Sequence, residues 1–365
     1  MKKRNFLKQS AAGFFRNINN VTLAVAILVF FIFFAFGSIR YKNFFAMQTI
    51  YNILMDNSHL LIVSLAQTLV LVSGGIDLSV GALLAFNFTA AAHLLTNMQA
   101  PVFLVVLIVI GVGVLVGALN GYLIAYKGFQ PFIATLSTQF LMRGACYMVS
   151  TDTIVISNPE ILKLSIFKLR LPGGYVTFGV IVAAIMFVAY CFITKKSKFG
   201  RNVYAVGGNE VSADMMGIRI KRTRLQVYML SGLTTAIASI VFAVYILSSY
   251  GLHAQTLHLD AVSSAVIGGT LTTGGVGNVV GTLFGVLTNG IIQTLITFLG
   301  TMTSGWSKIT IAVLLLIFIL LQRLIVAYRE RNMKSRPVKS LSEEVAKQGP
   351  GTGKQSANTG ADQTD

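Results

Sequence analysis

The chain has 365 residues, of which 54% are hydrophobic and only 11% charged; soluble domains carry about 25% charged residues, so this composition excludes an ordinary soluble protein and places the chain in a bilayer. Its formal net charge of +17 would suit nucleic acid, but 21 of the 29 Lys and Arg fall in residues 1–20, 195–224 and 323–365. With those segments set aside no basic face with interleaved aromatics remains, so no nucleic acid is expected as a partner.

Residues 1–20 form a basic, partly amphipathic lead expected at the inner membrane surface. The apolar run that follows ends in small Ala35 and Gly37, as a signal peptide does, but it exceeds the usual h-region and further spans follow. An uncleaved first span over 20–39 is therefore expected. Span 2 runs from about residue 50 or 59 to 72, span 3 follows the turn at 73–81 and ends near 95, and span 4 covers 101–126. Lys127 marks a short inner turn before span 5, residues 131–149. A polar link with Pro159 and Pro172-Gly173-Gly174 then crosses the outer surface, and span 6 covers 176–194. Each span has roughly the ~20 residues that hydrocarbon requires.

The polar interval 195–224 carries Lys195, Lys196, Lys198, Arg201, Arg219, Lys221, Arg222 and Arg224 against Glu210 and Asp214, a bias that fixes a loop on the cytoplasmic side. Within it, residues 209–218 read as a short helix: Asn209 can N-cap, Glu210 sits in the first turn and Gly217 lies near the end. Presented between basic flanks, that helix is read as the handle by which another protein moves this one. Span 7 covers 225–247, and 277–299 and 306–325 complete a count of about ten. The stretch 259–271 is shorter and weaker, as a broken or re-entrant element would be, tolerated only where protein or a water-filled path surrounds it. Both termini then lie in the cytosol, and residues 329–365 are expected to be a disordered polar tail. Lys163, Lys168 and Arg170 in the outer link run against this topology, partly offset by Asp152 and Glu160. The fold class is all-α: a polytopic inner-membrane helix bundle whose membrane domain covers 21–328, in contact with lipid.

Gly111-Val112-Gly113, Val116-Gly117, Leu119 and Gly121 recur as Gly275-Val276-Gly277, Val280-Gly281, Leu283 and Gly285 at a constant offset of 164. Under the ten-span count the copies run in opposite directions, so this is either an inverted repeat of the transporter kind or two small-residue faces that let helices approach closely.

The segment Ser73-Gly74-Gly75-Ile76-Asp77-Leu78-Ser79-Val80-Gly81 interrupts an apolar region with three glycines and a carboxylate. An ionisable group there marks function or a specific partner, or else Asp77 simply caps span 3. Asn52, Gln67, Asn87, Asn120, Gln139, Arg143, Asp260, Asn289 and Gln293 are candidate path-lining groups, since a sugar needs hydrogen-bonding partners along its route; interhelical hydrogen bonds are the competing reading. Gly349-Pro350-Gly351-Thr352-Gly353-Lys354 imitates a phosphate loop, but Gln348 and Gln355 stand where the motif needs Gly and Ser or Thr. His59, His93, His253 and His258 have no ligand spacing. No metal, cofactor or catalytic residue is expected, so an ATPase driving transport must be another chain. An ion-coupled carrier using Asp77 or Asp260 is the rival reading.

These motifs are familiar in combination. SGGIDLSVG at 73–81, FGRNVYAVGGNEVSADMMGI at 199–218, and Leu259-Asp260-Ala261 followed by VIGGTLTTGGVGNVVGTLFG at 266–285 resemble the permease subunits of bacterial ribose-type ABC sugar importers. LRLPGG at 169–174, ACYMVS at 145–150 and SGWSKITIAVLLLIFILLQR at 304–323 are most similar to one of the paired permeases of the galactofuranose importer. The resemblance implies a permease dimer, homo- or heteromeric, docked to cytoplasmic ATPase subunits and fed by a periplasmic sugar-binding protein. It also implies that the segment with Gly207, Gly208, Asn209, Glu210, Ala213, Asp214 and Gly217 contains the coupling helix that inserts into the ATPase surface.

Overall fold

The computed structural model describes residues 18–42, 44–299, 305–306 and 308–320. The basic lead, the polar tail and the phosphate-loop imitation lie outside them, apart from the start of the first helix. Apolar runs become helices because hydrocarbon offers no partner for backbone N–H and C=O groups, and a helix pairs them within its own segment.

Helix α1, Ile18–Arg40, is followed by α2, Met47–Asp56, and α3, Ser58–Val72, which meet at a 57° bend. Side chains at the joint satisfy carbonyls that the bend releases: Asn57 Nδ2 donates to Ile53 O at 2.9 Å and Ser58 Oγ to Met55 O at 2.9 Å. This break is why span 2 has two starting points in the sequence. Next come α4, Val80–Thr96, α5, Val102–Ala125, and α6, Pro131–Val149, with Pro131 in the first turn, where a missing N–H costs nothing. The outer link is more structured than its polarity suggests. It contains β1, Ile154–Val155, α7, Pro159–Ser165, and an antiparallel hairpin of β2, Lys168–Leu171, and β3, Gly174–Thr177, in which Leu171 faces Gly174. The chain continues through α8, Phe178–Lys196, α9, Lys198–Gly208, α10, Glu210–Met215, and α11, Ile220–Ile246. A short strand β4, Ser248–Ser249, pairs with β1, and α12, Leu257–Ile267, α13, Val279–Leu299, and α14, Lys308–Leu320, complete the described chain.

Among the described residues each expected span has a helix at its position, the end of the last, residues 321–325, lying outside them, and α6 matches 131–149 residue for residue. Among the described residues five helices are long and apolar enough to cross a membrane, six if the bent pair α2–α3 counts as one. Helix α12, with 11 residues, is about 16 Å long and is the short element anticipated at 259–271.

The links between helices sort into two groups. Gly275 N–H donates to Val72 O at 2.8 Å and Tyr204 OH to Gly277 O at 2.8 Å, while a cavity of about 270 Å³ is lined jointly by Ser73 to Gly75, Gly128 to Pro131, Arg224 and Tyr228. All four links expected on one side of the membrane therefore meet. At the other end β1 pairs with β4, Thr96 Oγ1 donates to Val155 O at 3.1 Å, and the hairpin is held by Tyr51 OH to Pro172 O and Tyr175 N–H to Gln48 Oε1, both 3.1 Å.

The core is built on α5 against α11. Backbones touch there because a Cβ at Gly113 would meet Gly232 O, one at Gly117 would meet Tyr228 O, and one at Gly121 would meet Leu225 O. Gly281 and Gly285 likewise bring α13 onto the backbone of Gly268 and Ser264. The echo at offset 164 thus marks two close helix contacts. Its first halves differ in conformation: Gly111 to Gly113 are helical, whereas Gly275 has φ 73° in a loop.

Candidate functional site

The interval 195–224 differs from a polar loop carrying one helix. Only Asn209 separates α9 from α10, and α11 begins at Ile220. Helix α9 forms because its apolar positions fall on one face: Gly200, Val203 and Val206 are buried while Lys198 and Arg201 point outward. Ser197 caps it, accepting the Gly200 N–H at 2.9 Å.

Helix α10 has only six residues and is defined by its ends. Asn209 Oδ1 accepts the Ser212 N–H at 2.8 Å, as the sequence suggests. At the other end Gly217, φ 74°, lets Ile218 N–H reach Ala213 O at 3.1 Å and Gly217 N–H reach Asp214 O at 2.8 Å, a Schellman closure. The helix therefore ends at Met215, three residues before the expected limit. Ala213 is buried, whereas Val211, Met215 and Met216 are exposed, Met215 at 84%. Glu210 Oε2 pairs with Arg224 Nη2 at 2.6 Å, tying α10 to the second turn of α11. An open groove of about 960 Å³ runs beside it, lined by Glu210, Val211, Asp214 and the basic side chains Arg219, Lys221, Arg222 and Arg224.

The glycine turn sits directly under this assembly. Gly74, φ 81°, takes the left-handed conformation the turn needs, and Gly75 leaves room for the Tyr228 hydroxyl. Asp77 is not the side-chain cap of α4. It is 2% exposed and accepts three hydrogen bonds: Ser79 N–H at 3.0 Å and Ser79 Oγ at 2.6 Å on Oδ1, and Ser231 Oγ of α11 at 2.7 Å on Oδ2. Asn120 Nδ2 donates to Ser79 Oγ at 3.1 Å, and Thr138 Oγ1 donates to Asn120 Oδ1 at 2.6 Å. A hydrogen-bonded chain thus runs from α11 through the turn into α5 and α6. Gly81 is where α4 meets the loop before α12, close to Ala254 O and His258.

The path candidates scatter. Asn52 is exposed and bonded to Gln48 at 2.7 Å, and Asn120 is engaged in the Asp77 network. Asp260 is half-buried at the start of α12, with its carboxylate near Thr256 Oγ1 at 3.3 Å. Gln67 and Asn87, buried to 0% and 1% exposure, have no hydrogen-bond partner for either amide atom. Arg143 Nη1 donates to Gly251 O at 2.6 Å and His253 O at 2.9 Å, Nη2 is unpaired, and Gln139 Oε1 is unpaired. Asn289 Nδ2 reaches Ser264 Oγ at 2.7 Å, leaving Oδ1 unpaired. Sequence reasoning missed Val72, Tyr204, Tyr228, Ser231 and Thr138. One signal for the first two was present, in the Gly-Gly pairs at 74–75, 207–208 and 274–275, which lie in three links expected on one face.

A bundle of this kind is a polytopic helical membrane protein that carries an exposed, doubly capped helix at one end. Residues 49–320 match the family described as branched-chain amino acid transport system / permease component. The chain is 40% identical over 321 residues to the inner membrane ABC transporter permease protein YjfF of Escherichia coli (strain K12), covering 87% of this chain and 96% of that one. It is 35% identical to the fructose import permease protein FruG of Bifidobacterium longum (88% and 96%) and 33% identical to the ribose import permease protein RbsC of Haemophilus influenzae (76% and 86%). No solved structure matches. The chain belongs to this permease family and is a multi-pass helical membrane protein.

Proposed function

We propose that the chain is the membrane-spanning subunit of an ABC importer that moves a monosaccharide into the cell. A periplasmic binding protein delivers the sugar, a separate cytoplasmic ATPase powers the step, and a second permease, identical or paired, completes the pore. The observation that carries this reading is α10, whose exposed Val211, Met215 and Met216 and basic-rimmed groove offer a surface for another protein. With 195–224 on the cytoplasmic side of the inner membrane, both termini face the cytosol. Relatives named for fructose and ribose import favour a sugar. A galactofuranose-like hexose is the specific substrate, argued from the motifs at 145–150, 169–174 and 304–323. An ion-coupled carrier needs a carboxylate open to the route; both oxygens of Asp77 are occupied, and sensitivity of uptake to an uncoupler tests Asp260, which is half-buried.

The test is uptake of radiolabelled D-galactose, D-fructose and D-ribose into proteoliposomes holding the permease with its cognate ATPase and binding protein. Uptake that requires ATP and resists an uncoupler supports the proposal. Uptake that persists without the ATPase and collapses with the uncoupler overturns it.

A further inference from the structure

Three glycine pairs, distant in sequence, meet at one point. A Cβ on Gly207 would collide with Val72 O and lie 2.9 Å from Gly275 N; one on Gly274 would lie 2.7 Å from Gly207 O and 3.0 Å from Gly74 Cα; one on Gly275 would lie 2.5 Å from Gly208 Cα. These are backbone atoms, which cannot rotate aside. Gly275 N–H donates to Val72 O at 2.8 Å, and Tyr204 OH, one turn back on α9, donates to Gly277 O at 2.8 Å. Burial pushes the Tyr204 phenol up to about 12, so it is a neutral donor at physiological pH. From the opposite side α11 holds the same turn through Tyr228 OH to Ile76 O at 3.3 Å and Ser231 Oγ to Asp77. Helices α9 and α11 flank α10 in the chain, so the two helices that α10 joins hold both ends of the turn: α9 meets Val72 just before it, and α11 bonds Ile76 and Asp77.

We infer that Gly207 is a positioning residue, and that its contact with Val72 and Gly275 passes displacement of α10 to the turn at 73–77 and to the loop before α13. Side chains would put rotatable, compressible atoms at this joint. Backbone in van der Waals contact with backbone moves as one body, because packed interfaces are bistable rather than continuously deformable. From the turn, the Asp77, Ser79, Asn120 and Thr138 hydrogen bonds carry the displacement into α5 and α6. This rests on the proposed ATP-driven import.

Gly111 supplies the control, since it lies within α5, away from the joint, and a Cβ on it would meet nothing within 4 Å. In the complete complex in proteoliposomes, Gly207→Ala is expected to keep the ATPase bound and hydrolysing while ATP-driven sugar uptake falls about tenfold, and Gly111→Ala to keep uptake near wild type. Tyr204→Phe, which removes one hydrogen bond and no volume, is expected to lower uptake about threefold with ATPase binding unchanged. Should Gly207→Ala fail to insert, Tyr204→Phe decides alone. Wild-type uptake in Gly207→Ala, equal losses in both glycine variants, or wild-type uptake in Tyr204→Phe overturns the inference. If the wild-type complex itself shows no ATP-dependent uptake, it is the import reading that fails.

Discussion

Asp77 is a single buried carboxyl group that ties together segments far apart in the chain. Its three donors come from its own turn and from α11, so they join segments 154 residues apart. Removing it strands Ser79, Ser231 and, through Ser79, Asn120. Asp77→Ala should lower stability by about 3 kcal/mol, because each hydrogen bond to such a group is worth about 1–3 kcal/mol and its donors are left buried. Asp77→Asn retains an acceptor for Ser79 and offers an amide that Ser231 Oγ can accept, so its cost should stay below about 1 kcal/mol. Thermal unfolding of the purified protein in detergent reads both, and equal shifts would contradict the network. The Glu210 and Arg224 pair behaves differently. It is half-exposed, so Glu210→Ala should change stability by no more than about 1 kcal/mol.

At the scale of the element, α10 has too few residues to be stable on its own propensity. It exists because Asn209 and Gly217 close its ends and Ala213 seats it on the protein. Asn209→Ala and Gly217→Ala should each cost about 1 kcal/mol of local stability, the first by losing a cap and the second by forcing a side chain into the left-handed region. Both should reduce co-purification of the ATPase with little effect on membrane insertion. Met215→Glu is the sharper test. It leaves the caps alone, places a charge on the most exposed apolar side chain of α10, and should abolish co-purification; unchanged recovery of the ATPase would show that α10 does not dock it.

For the whole molecule, the sorting of alternate links to two ends fixes which residues share a side, and the positive-inside bias selects which side that is. With Cys146 and Cys191 replaced by serine, a cysteine at Asp214 should react with a membrane-impermeant maleimide only after the cells are opened. One at Lys168 should react in intact cells. Reversed labelling would invert the topology and remove the cytoplasmic role of α10. Lys168 and Arg170, which run against the charge bias, lie in a hairpin strand that is exposed along its length, where a cation stays solvated.

The bilayer, the helix positions and both caps of α10 were legible in the chain, because each follows from interactions between near neighbours in sequence: apolar length, an Asn before the helix, a Gly after it. The extra helix α9 was masked by its basic face, and the bend at Asn57 was visible only as an uncertain start. The meeting of Gly74, Gly207 and Gly275 could not be read in advance, since a glycine signals that something approaches but not what. Ser231 and Thr138 carried no local signal. Which polar groups pair in the interior, and which of Gln67, Asn87 and Asn120 stay unpaired, was decided only when packing set the distances, because a hydrogen bond forms or fails within a few tenths of an ångström.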